Sequence, residues 1–356
     1  MSAAPRIVVA GRSIGPGEPP FVIAEMSGNH NQSLDRALQI VEAAARAGAH
    51  ALKLQTYTAD TMTLDVRSDG FVVQDPSSPW HGEALYALYQ KAHTPWEWHE
   101  PIFRRCRELG LLAFSTPFDA TAVDFLESLD APCFKIASFE NVDLALIRKA
   151  AATGKPLIVS SGLASEAELG EAVAAARSAG CRELLLLKCT SSYPASPAES
   201  HLATIPDMAR RFGCLVGVSD HTPGIGAAVA AVALGAVAIE KHLTLARGDG
   251  GVDAAFSLEP EELQRLVAES RRAWEARGSV HYGPSEGEKS SLVFRRSLYV
   301  VRDMKAGERF TGENVRAVRP GYGLAPKHLD EVLGKPIRRA AERGTPLTWD
   351  LVGERP

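Results

Sequence analysis

Leu215-Val216-Gly217-Val218-Ser219-Asp220-His221-Thr222 is a short apolar run that ends in polar side chains, and Val237-Ala238-Ile239-Glu240-Lys241-His242-Leu243-Thr244 repeats the pattern one unit later. Six earlier runs have the same form, at 21–27, 51–57, 112–118, 133–138, 157–163 and 184–191. Each has the length and composition of a buried β-strand. The sequence therefore predicts eight strands, each with reactive side chains at its carboxyl end.

Segments with helical periodicity separate these runs. The first spans 33–48, where Ser33 is placed to cap the helix and Gly48 to end it. Comparable segments follow at 94–110, 121–129, 143–154, 165–180, 205–213, 225–235 and 259–278. Alternating strands and helices imply a parallel sheet with right-handed crossovers. Eight such units, with no GxGxxG after an early strand, favour a closed (β/α)₈ TIM barrel over an open, doubly wound α/β sheet.

Two segments interrupt the alternation. The excursion from Thr58 to Ala92 is long, and long connections after a barrel strand usually build or cover an active site. Residues 282–293 have the composition of a linker, and residues 294–356 predict a small, mostly β module that is marginally stable by itself. We therefore predict a barrel domain over 1–281, a linker over 282–293 and a second domain over 294–356.

Bulk composition limits the class of protein. The net charge of −4 provides no basic field, which argues against a nucleic-acid partner. The apolar stretch at 7–10 is too short for a secretory leader, and no run reaches the length of a membrane span. The five cysteines are scattered and odd in number, as expected for reduced thiols. We expect a cytoplasmic enzyme that binds neither nucleic acid nor membrane.

Because side chains alternate along a β-strand, every second strand residue faces the helices and the residues between them face the barrel interior. Leu52 and Leu54 face the helices, which leaves Lys53 and Gln55 pointing into the barrel. The same reasoning places eight further polar residues in the interior or at its carboxyl rim: Glu25, Lys135, Ser138, Glu140, Ser219, His221, Glu240 and His242.

These interior residues suggest a chemistry. Two histidines on neighbouring strand ends suit one divalent metal, such as Mn²⁺ or, more weakly, Mg²⁺. Two lysines with several hydroxyls suit a phosphate and a carboxylate on one small substrate. A single inward lysine or glutamate is more often half of a structural ion pair, whereas a pair of histidines is harder to explain structurally. The sequence predicts a metal-assisted reaction on a phosphorylated acid.

Several motifs, in the same order, resemble those of the sialic acid synthases. They are AEMSGNHN at 24–31, KLQTY at 53–57, FSTPFD at 114–119, KIAS at 135–138, SDHT at 219–222 and EKH at 240–242. The C-terminal segment resembles the family's antifreeze-like (SAF) domain, with Arg319-Pro320-Gly321 in the expected place. Within the family, 55–64 and 92–98 look like the bacterial pseudaminic acid synthase branch, whose nine-carbon product glycosylates flagellin or surface polysaccharide.

The resemblance implies condensation of phosphoenolpyruvate with 2,4-diacetamido-2,4,6-trideoxy-L-altrose. Water attacks C2 of phosphoenolpyruvate while C3 attacks the sugar aldehyde, and phosphate leaves by C–O cleavage. A divalent metal, with Mn²⁺ ahead of Mg²⁺ or Co²⁺, polarises the aldehyde oxygen as a Lewis acid. The resemblance also implies a domain-swapped homodimer.

Residue roles follow from the same resemblance. Metal ligands are His221 and His242. Phosphoenolpyruvate is held by Lys53, Lys135, Ser138, Ser160, Ser191 and Ser219, although Ser191 stands where the neuraminic branch carries asparagine. Catalysis involves Glu25, Lys53, Lys135 and Glu240. The sugar is contacted by Gln55, Glu140, Tyr193, Asp253 and Arg319.

Three alternatives stay open at this point. The product could be legionaminic or N-acetylneuraminic acid, because these synthases differ in the pocket for sugar positions four to six. The excursion at 58–92 and the segment Trp96-Glu97-Trp98 are the regions expected to contact those positions. A metal-dependent sugar aldolase or epimerase could use the same barrel. The C-terminal module alone would also suit a non-catalytic sugar-binding or ice-binding protein.

Overall fold

The computed structural model describes residues 6–76 and 78–354, which form two compact units that divide between Gly278 and Ser279. Expectations that concern residues 1–5, including part of the argument against a leader, lie outside the described residues. The same holds for Ser77 in the excursion and for the last two residues of the second predicted domain.

A short antiparallel hairpin, β1 (Ile7–Val9) and β2 (Arg12–Ile14), precedes the first predicted strand. Ile7, Val9 and Ile14 are buried in one cluster with Phe21 and other residues from the beginnings of the later strands. The hairpin therefore covers the amino-terminal end of the structure that follows and keeps that end apolar. The sequence argument missed it, because a run of three apolar residues is too short to stand out as a strand.

Eight parallel strands form a closed barrel, which confirms the predicted TIM-barrel fold. They are β3 (Phe21–Glu25), β4 (Ala51–Thr56), β5 (Leu112–Pro117), β6 (Phe134–Ile136), β7 (Leu157–Ser160), β8 (Leu184–Cys189), β9 (Leu215–Ser219) and β10 (Ala238–His242). Consecutive strands are neighbours, and β10 pairs with β3 to close the ring. Most strands end earlier than predicted, because their last polar residues leave the sheet and form turns at the carboxyl rim.

Helices follow the strands and form the outer layer. They are α1 (Leu34–Arg46), α2 (Ala59–Met62) and α3 (Leu85–Ala92) in the first third, then α4 (His99–Glu108), α5 (Ala120–Ser128), α6 (Leu144–Ala152), α7 (Glu166–Ser178), α8 (Thr204–Phe212), α9 (Gly226–Ala233) and α10 (Pro260–Arg277). Ser33 caps α1 by accepting the amide of Arg36. The excursion contains α2 and α3, which the sequence pattern did not resolve.

The second unit has its own small core. A 3₁₀ helix, Glu286–Phe294, occupies much of the segment predicted as a linker. β11 (Ser297–Val300) and β12 (Val315–Val318) pair antiparallel, and α11 (Leu329–Val332) follows. Leu298, Phe310, Val315 and Leu347 are among the buried residues that pack together. The predicted mostly β character of this domain is confirmed.

Two further observations bear on the environment of the chain. No helix within 6–76 and 78–354 is both long and apolar enough to span a membrane. All five cysteines lie in the described part of the chain and carry free thiols.

Three histidines pack within the scaffold, of which His30 and His99 are buried and His50 is half-buried. His30 contacts Thr94, His50 accepts the amide of Val22, and the Nε2 of His99 lies 2.7 Å from the Thr56 hydroxyl. Burial lowers the pKa of each of these three imidazoles to about 4, so all three are neutral in the folded protein at neutral pH. His30, which the sequence placed in the loop after Glu25, is therefore a packing residue.

This burial predicts a pH dependence of stability. In the unfolded chain these histidines bind protons near pH 6.5, whereas in the folded chain they bind them only near pH 4. The free energy of unfolding should therefore fall between about pH 6.5 and 4, by up to roughly 1.4 kcal/mol per pH unit for each histidine. Denaturant titrations across this range measure the slope, and His50→Asn should reduce it by about one proton. A pH-independent free energy would contradict the assignment.

Candidate active site

A buried charge cluster lies where three adjacent strands meet the carboxyl rim. Lys53 Nζ is 2.5 Å from Glu25 Oε2 and 3.7 Å from Glu240 Oε1, and none of the three side chains is more than 5% exposed. Lys53 Nζ also donates to the Thr116 hydroxyl at 3.1 Å. One lysine therefore bridges two carboxylates from the strands on either side of the barrel closure.

The two carboxylates differ in acidity. Burial raises the pKa of Glu25 above its ordinary value despite the neighbouring lysine. Burial opposes ionisation of Glu240 too, but the charges of Lys53 and Lys135 outweigh it and hold the pKa of Glu240 below its usual range. A pair of carboxylates whose pKa values are pushed apart is typical of a site that moves a proton beside a fixed negative charge.

Lys135 is a second buried lysine and lies on β6. It is 1% exposed, and its Nζ donates to the Ser160 hydroxyl at 2.7 Å and to the Ile136 carbonyl at 2.9 Å. Within the described ranges, no carboxylate forms an ion pair with it. Burial accordingly lowers the pKa of Lys135. A buried cation that lacks an anion is costly unless a ligand supplies one.

Serine hydroxyls surround this lysine. The Ser138 hydroxyl accepts the amide of Gly162 at 3.2 Å. A Cβ at Gly162 would lie 2.1 Å from Ser191 Oγ and 2.5 Å from Ser138 Oγ, so glycine is required for this close approach. The Asn141 side chain donates to the carbonyls of Ser160 and Gly162 and fixes the turn. We call Lys135, Ser138, Ser160 and Ser191 the lysine–serine pocket.

The two rim histidines are neighbours. The ring centroids of His221 and His242 are 5.3 Å apart. His221 Nδ1 lies 3.0 Å from the Thr190 carbonyl and donates to it, so Nε2 carries the lone pair when the imidazole is neutral. Burial opposes protonation of this ring, but its contacts with Cys189 and the Thr190 carbonyl raise the pKa of His221 above its ordinary value. His242 Nδ1 is buried without a hydrogen-bond partner and lies 3.6 Å from Asp253 Oδ2. Burial holds the pKa of His242 well below its ordinary value, so this imidazole is neutral.

These features fit a metal site in part. Neutral imidazoles with free lone pairs, one of them fixed by a hydrogen bond to a carbonyl, are what a divalent ion requires of histidine ligands. In the part of the chain described, however, no three His, Cys, Asp or Glu side chains are arranged around one common metal position. The assignment of His221 and His242 as metal ligands therefore stays a prediction, supported by their proximity.

Aromatic rings enclose the histidines. Tyr193 lies 4.5 Å from His221 and 5.2 Å from Phe256, and Phe256 lies 5.0 Å from His242, measured between ring centroids. Asp253 accepts a hydrogen bond from the Ser27 hydroxyl, and burial raises the pKa of Asp253. The wall beside the histidines is thus apolar, with one carboxyl group set into it.

The excursion contributes to this wall through Trp80. Its Nε1 donates to the Val252 carbonyl at 2.8 Å, and its ring centroid is 5.9 Å from that of Tyr193. Trp96 and Trp98 lie elsewhere: Trp96 stacks on Phe125 in the helical layer and Trp98 packs against His30. Trp96 Nε1 also donates to the Tyr57 carbonyl at 3.3 Å, and the expected contact of these two residues with the sugar stays a prediction.

The remaining predicted residues divide by position. Gln55 donates to Glu25 Oε1 at 3.1 Å, and Ser219 donates to Glu240 Oε1 at 3.1 Å, so both join the charge cluster. Burial raises the pKa of Glu140 to about 7, and one of its carboxyl oxygens is buried without a hydrogen-bond partner. Arg319 directly follows β12 in the second unit.

Sequence reasoning missed Cys189. Its sulfur is 3.8 Å from Ser191 Oγ and 3.9 Å from His221 Nδ1. Burial alone would raise the pKa of the Cys189 thiol, but His221 and Lys135 lower it to about 7. The signal was available, because Cys189 shares strand parity with the inward-facing Leu185 and Leu187. Asn141, Phe256 and Ser27 were also missed, and they lie in loops where alternation gives no orientation.

The chain is similar to known proteins over most of its length. The NeuB family model matches residues 40–282 and the SAF domain model matches residues 295–353. The chain is similar to the pseudaminic acid synthase of Helicobacter pylori, with 42% identity over 335 residues, 94% of this chain and 98% of that protein. It is also similar to the N,N'-diacetyllegionaminic acid synthase of Legionella pneumophila, with 33% identity over 93% of this chain and 94% of that protein.

Two solved structures are similar to this chain in fold and sequence. The crystal structure of N-acetylneuraminic acid synthetase from Leptospira borgpetersenii in complex with citrate has a TM-score of 0.73 and 30% identity, and covers 81% of this chain and 95% of that chain. The structure of the spore coat polysaccharide biosynthesis protein SpsE from Bacillus subtilis has a TM-score of 0.66 and 31% identity. The match covers 99% of this chain and 100% of that chain.

The close packing around Gly162 predicts that adding one methyl group there weakens binding in the lysine–serine pocket. Gly162→Ala would push a Cβ against Ser138 and Ser191, and overpacking of this kind costs about 1–3 kcal/mol. The KM for a phosphate-bearing substrate should rise roughly 10-fold or more, while the KM for a sugar co-substrate changes little. Gly170→Ala within α7 is the matched control, because its Cβ would meet only Phe212 at 3.9 Å. Unchanged kinetics in Gly162→Ala would show that the pocket does not hold this substrate.

Proposed function

Because the chain belongs to the NeuB family and carries a SAF domain, we propose that it catalyses the pseudaminic acid synthase reaction. Phosphoenolpyruvate and 2,4-diacetamido-2,4,6-trideoxy-L-altrose condense with one water to give the nine-carbon sugar acid and inorganic phosphate. The reaction belongs in the cytoplasm, where phosphoenolpyruvate is made.

One observation carries the proposal: Lys135 is a buried lysine that forms no ion pair within the described residues and donates to the Ser160 hydroxyl in the lysine–serine pocket. Such a pocket suits a small, doubly charged anion, because the lysine supplies the opposite charge and the hydroxyls supply short hydrogen bonds. Phosphoenolpyruvate carries its phosphate ester on C2 and its carboxylate on the adjacent carbon, so two anionic groups flank one side of the reacting double bond. Lys135 and Lys53 then neutralise the two groups, and Glu25 and Glu240 flank the reacting carbons.

The two carboxylates take different roles in the condensation. C3 of phosphoenolpyruvate forms a bond to the aldehyde carbon, water adds to C2, and the C2–O bond to phosphate breaks. Glu25, whose pKa is raised by burial, is suited to exchange a proton with the water or the new alkoxide. Glu240 stays ionised because its pKa is lowered, and its negative charge stabilises positive charge that develops at C2.

A divalent metal belongs to this proposal, with Mn²⁺ as the first choice and Mg²⁺ or Co²⁺ as alternatives. His221 and His242 would hold it, and it would supply Lewis-acid polarisation of the aldehyde oxygen. Asp253, which lies 3.6 Å from His242, is suited to orient sugar hydroxyls beside it. Thr190 fixes the tautomer of His221 and thereby presents Nε2 to the site.

The walls of the site support a deoxy sugar. Trp80, Tyr193 and Phe256 present aromatic surface, which favours a terminal methyl group over a hydroxymethyl group. Gln55 and Glu140 supply polar contacts for acetamido groups and hydroxyls. Identity to the Helicobacter pylori pseudaminic acid synthase exceeds that to the Legionella pneumophila legionaminic acid synthase, which points to the same branch.

A side-by-side assay tests both the reaction and the substrate. The enzyme, with Mn²⁺ and phosphoenolpyruvate, is incubated with 2,4-diacetamido-2,4,6-trideoxy-L-altrose, with the legionaminic precursor or with N-acetylmannosamine, and phosphate release is measured. We expect the altrose derivative to give the highest kcat/KM and phosphate release to require a sugar. Preference for N-acetylmannosamine would overturn the branch assignment, and the absence of phosphate release with any sugar would overturn the synthase reaction in favour of an aldolase or epimerase.

We also propose that the protein acts as a domain-swapped homodimer in which Arg319 contacts the sugar bound by the partner's barrel. A guanidinium can donate to an acetamido carbonyl with defined geometry, which a lysine would do less well. The small size of the second unit supports the proposal, since a domain of this size gains stability from a further surface.

Subunit mixing tests the swap. Arg319→Ala should raise the KM for the sugar far more than the KM for phosphoenolpyruvate, and His221→Ala should abolish turnover. In a swapped heterodimer of these two variants, one site receives both intact residues, so partial activity should return after subunit exchange. If exchange is confirmed by mass spectrometry and the mixture stays inactive, each chain completes its own site.

A further inference from the structure

A second buried ion pair lies behind the two histidines. Lys241 Nζ is 3.0 Å from Asp220 Oδ2, and the two side chains are 0% and 3% exposed. Lys241 directly precedes His242 in β10, and Asp220 directly precedes His221 at the end of β9. Because side chains alternate across a strand, this pair points toward the helical layer while the two imidazoles point into the barrel.

The pair is tied to the turn that carries His221. Lys241 Nζ donates to the Thr222 carbonyl, and Asp220 Oδ1 accepts the Thr222 amide at 2.9 Å. The amide of Asp220 donates to the Glu240 carbonyl at 3.0 Å. These contacts join β10 to the residues on both sides of His221, so the turn cannot shift along β10 without breaking them.

Stability alone does not explain an ion pair at this position. The other helix-facing residues nearby on the two strands, Val216, Val218 and Ile239, are apolar members of the core. Replacing a buried ion pair by apolar residues of similar volume is often neutral or stabilising. What an ion pair provides is a defined distance between the groups that it joins, because apolar packing tolerates sliding better than directed polar contacts do.

From these contacts we propose that Asp220 and Lys241 are positioning residues that hold His221 and His242 at the separation required to share one divalent ion. The inference rests on the metal role in the proposed function. The ring separation of 5.3 Å is set by two strand ends, and the ion pair couples those ends on the helix-facing side, as the Ser219–Glu240 hydrogen bond does inside the barrel. Outer contacts of this kind typically change metal affinity 10-fold to 100-fold when they are removed.

The double variant Asp220→Asn/Lys241→Met tests the inference. Asparagine keeps an oxygen that can accept the Thr222 amide, and methionine fills the volume of the lysine stem without leaving a buried charge. We expect a Tm close to that of the wild type and a Kd for Mn²⁺, measured by calorimetric titration of the metal-free enzyme, that rises about 10-fold to 100-fold. Saturating Mn²⁺ should restore most of the phosphate release.

Two further variants separate positioning from stability. Val216→Ala, also helix-facing on β9, should lower the Tm without changing the Kd for Mn²⁺. Lys241→Met alone should lower the Tm more than the double variant does, because it leaves Asp220 buried without its cation. A wild-type Kd in the double variant would overturn the inference, as would a Kd that rises in Val216→Ala by the same factor.

The outcome is distinguishable from failure of the proposed reaction. A wild-type enzyme that releases phosphate from phosphoenolpyruvate and sugar but binds no Mn²⁺ would overturn the inference and leave the synthase reaction standing. A wild-type enzyme that binds Mn²⁺ but releases no phosphate would overturn the reaction, and the Kd values of the variants would still decide the role of the ion pair.

Discussion

The ion contacts of Lys53 with Glu25 and Glu240 are the constraint on which the rest of the barrel depends. Charges inside a closed barrel are costly unless they are paired, and here one lysine joins the two strands at which the ring closes. At the opposite end the interior is apolar and the hairpin β1–β2 covers it. The barrel is therefore polarised along its axis, with all of its reactive groups at the carboxyl rim, as the fold requires of an active site.

Lys135 is the buried lysine of this interior that forms no ion pair within the described residues, and it is therefore the cation available to an anionic ligand. The surrounding hydroxyls and the absence of a side chain at Gly162 shape a pocket for an anion rather than for a second carboxylate. The histidines, the aromatic wall and Asp253 adjoin this pocket through Cys189, whose sulfur lies 3.8 Å from Ser191 Oγ and 3.9 Å from His221 Nδ1. The site thus brings an anionic donor and a polarised sugar together across Glu25 and Glu240.

Many of the residues that face the barrel interior were predictable from the sequence, because side chains alternate between the two faces of a β-strand. Alternation alone places Lys53 and Lys135 inside the barrel, because each is flanked by apolar residues that face the helices, and Glu240 shares its parity with the inward-facing His242. Residues in loops have no such period. Trp80 reaches the site through a contact with Val252, 172 residues away, whereas Trp96, which looked equivalent in the sequence, stacks on Phe125. Such pairings depend on how the loops fold over the rim, which no local pattern encodes.

The binding of phosphoenolpyruvate to Lys135→Met, measured by calorimetric titration without sugar, tests the central claim most directly. Because Lys135 has no carboxylate partner in the described structure, its removal leaves no anion unpaired and the variant should keep its fold. Losing one charged hydrogen-bond donor should weaken binding about 10-fold to 100-fold. Lys149→Met, which breaks an exposed ion pair with Asp124 in the helical layer, serves as the control. The account predicts weak binding in Lys135→Met and normal binding in the control, and equal affinity in both would contradict it.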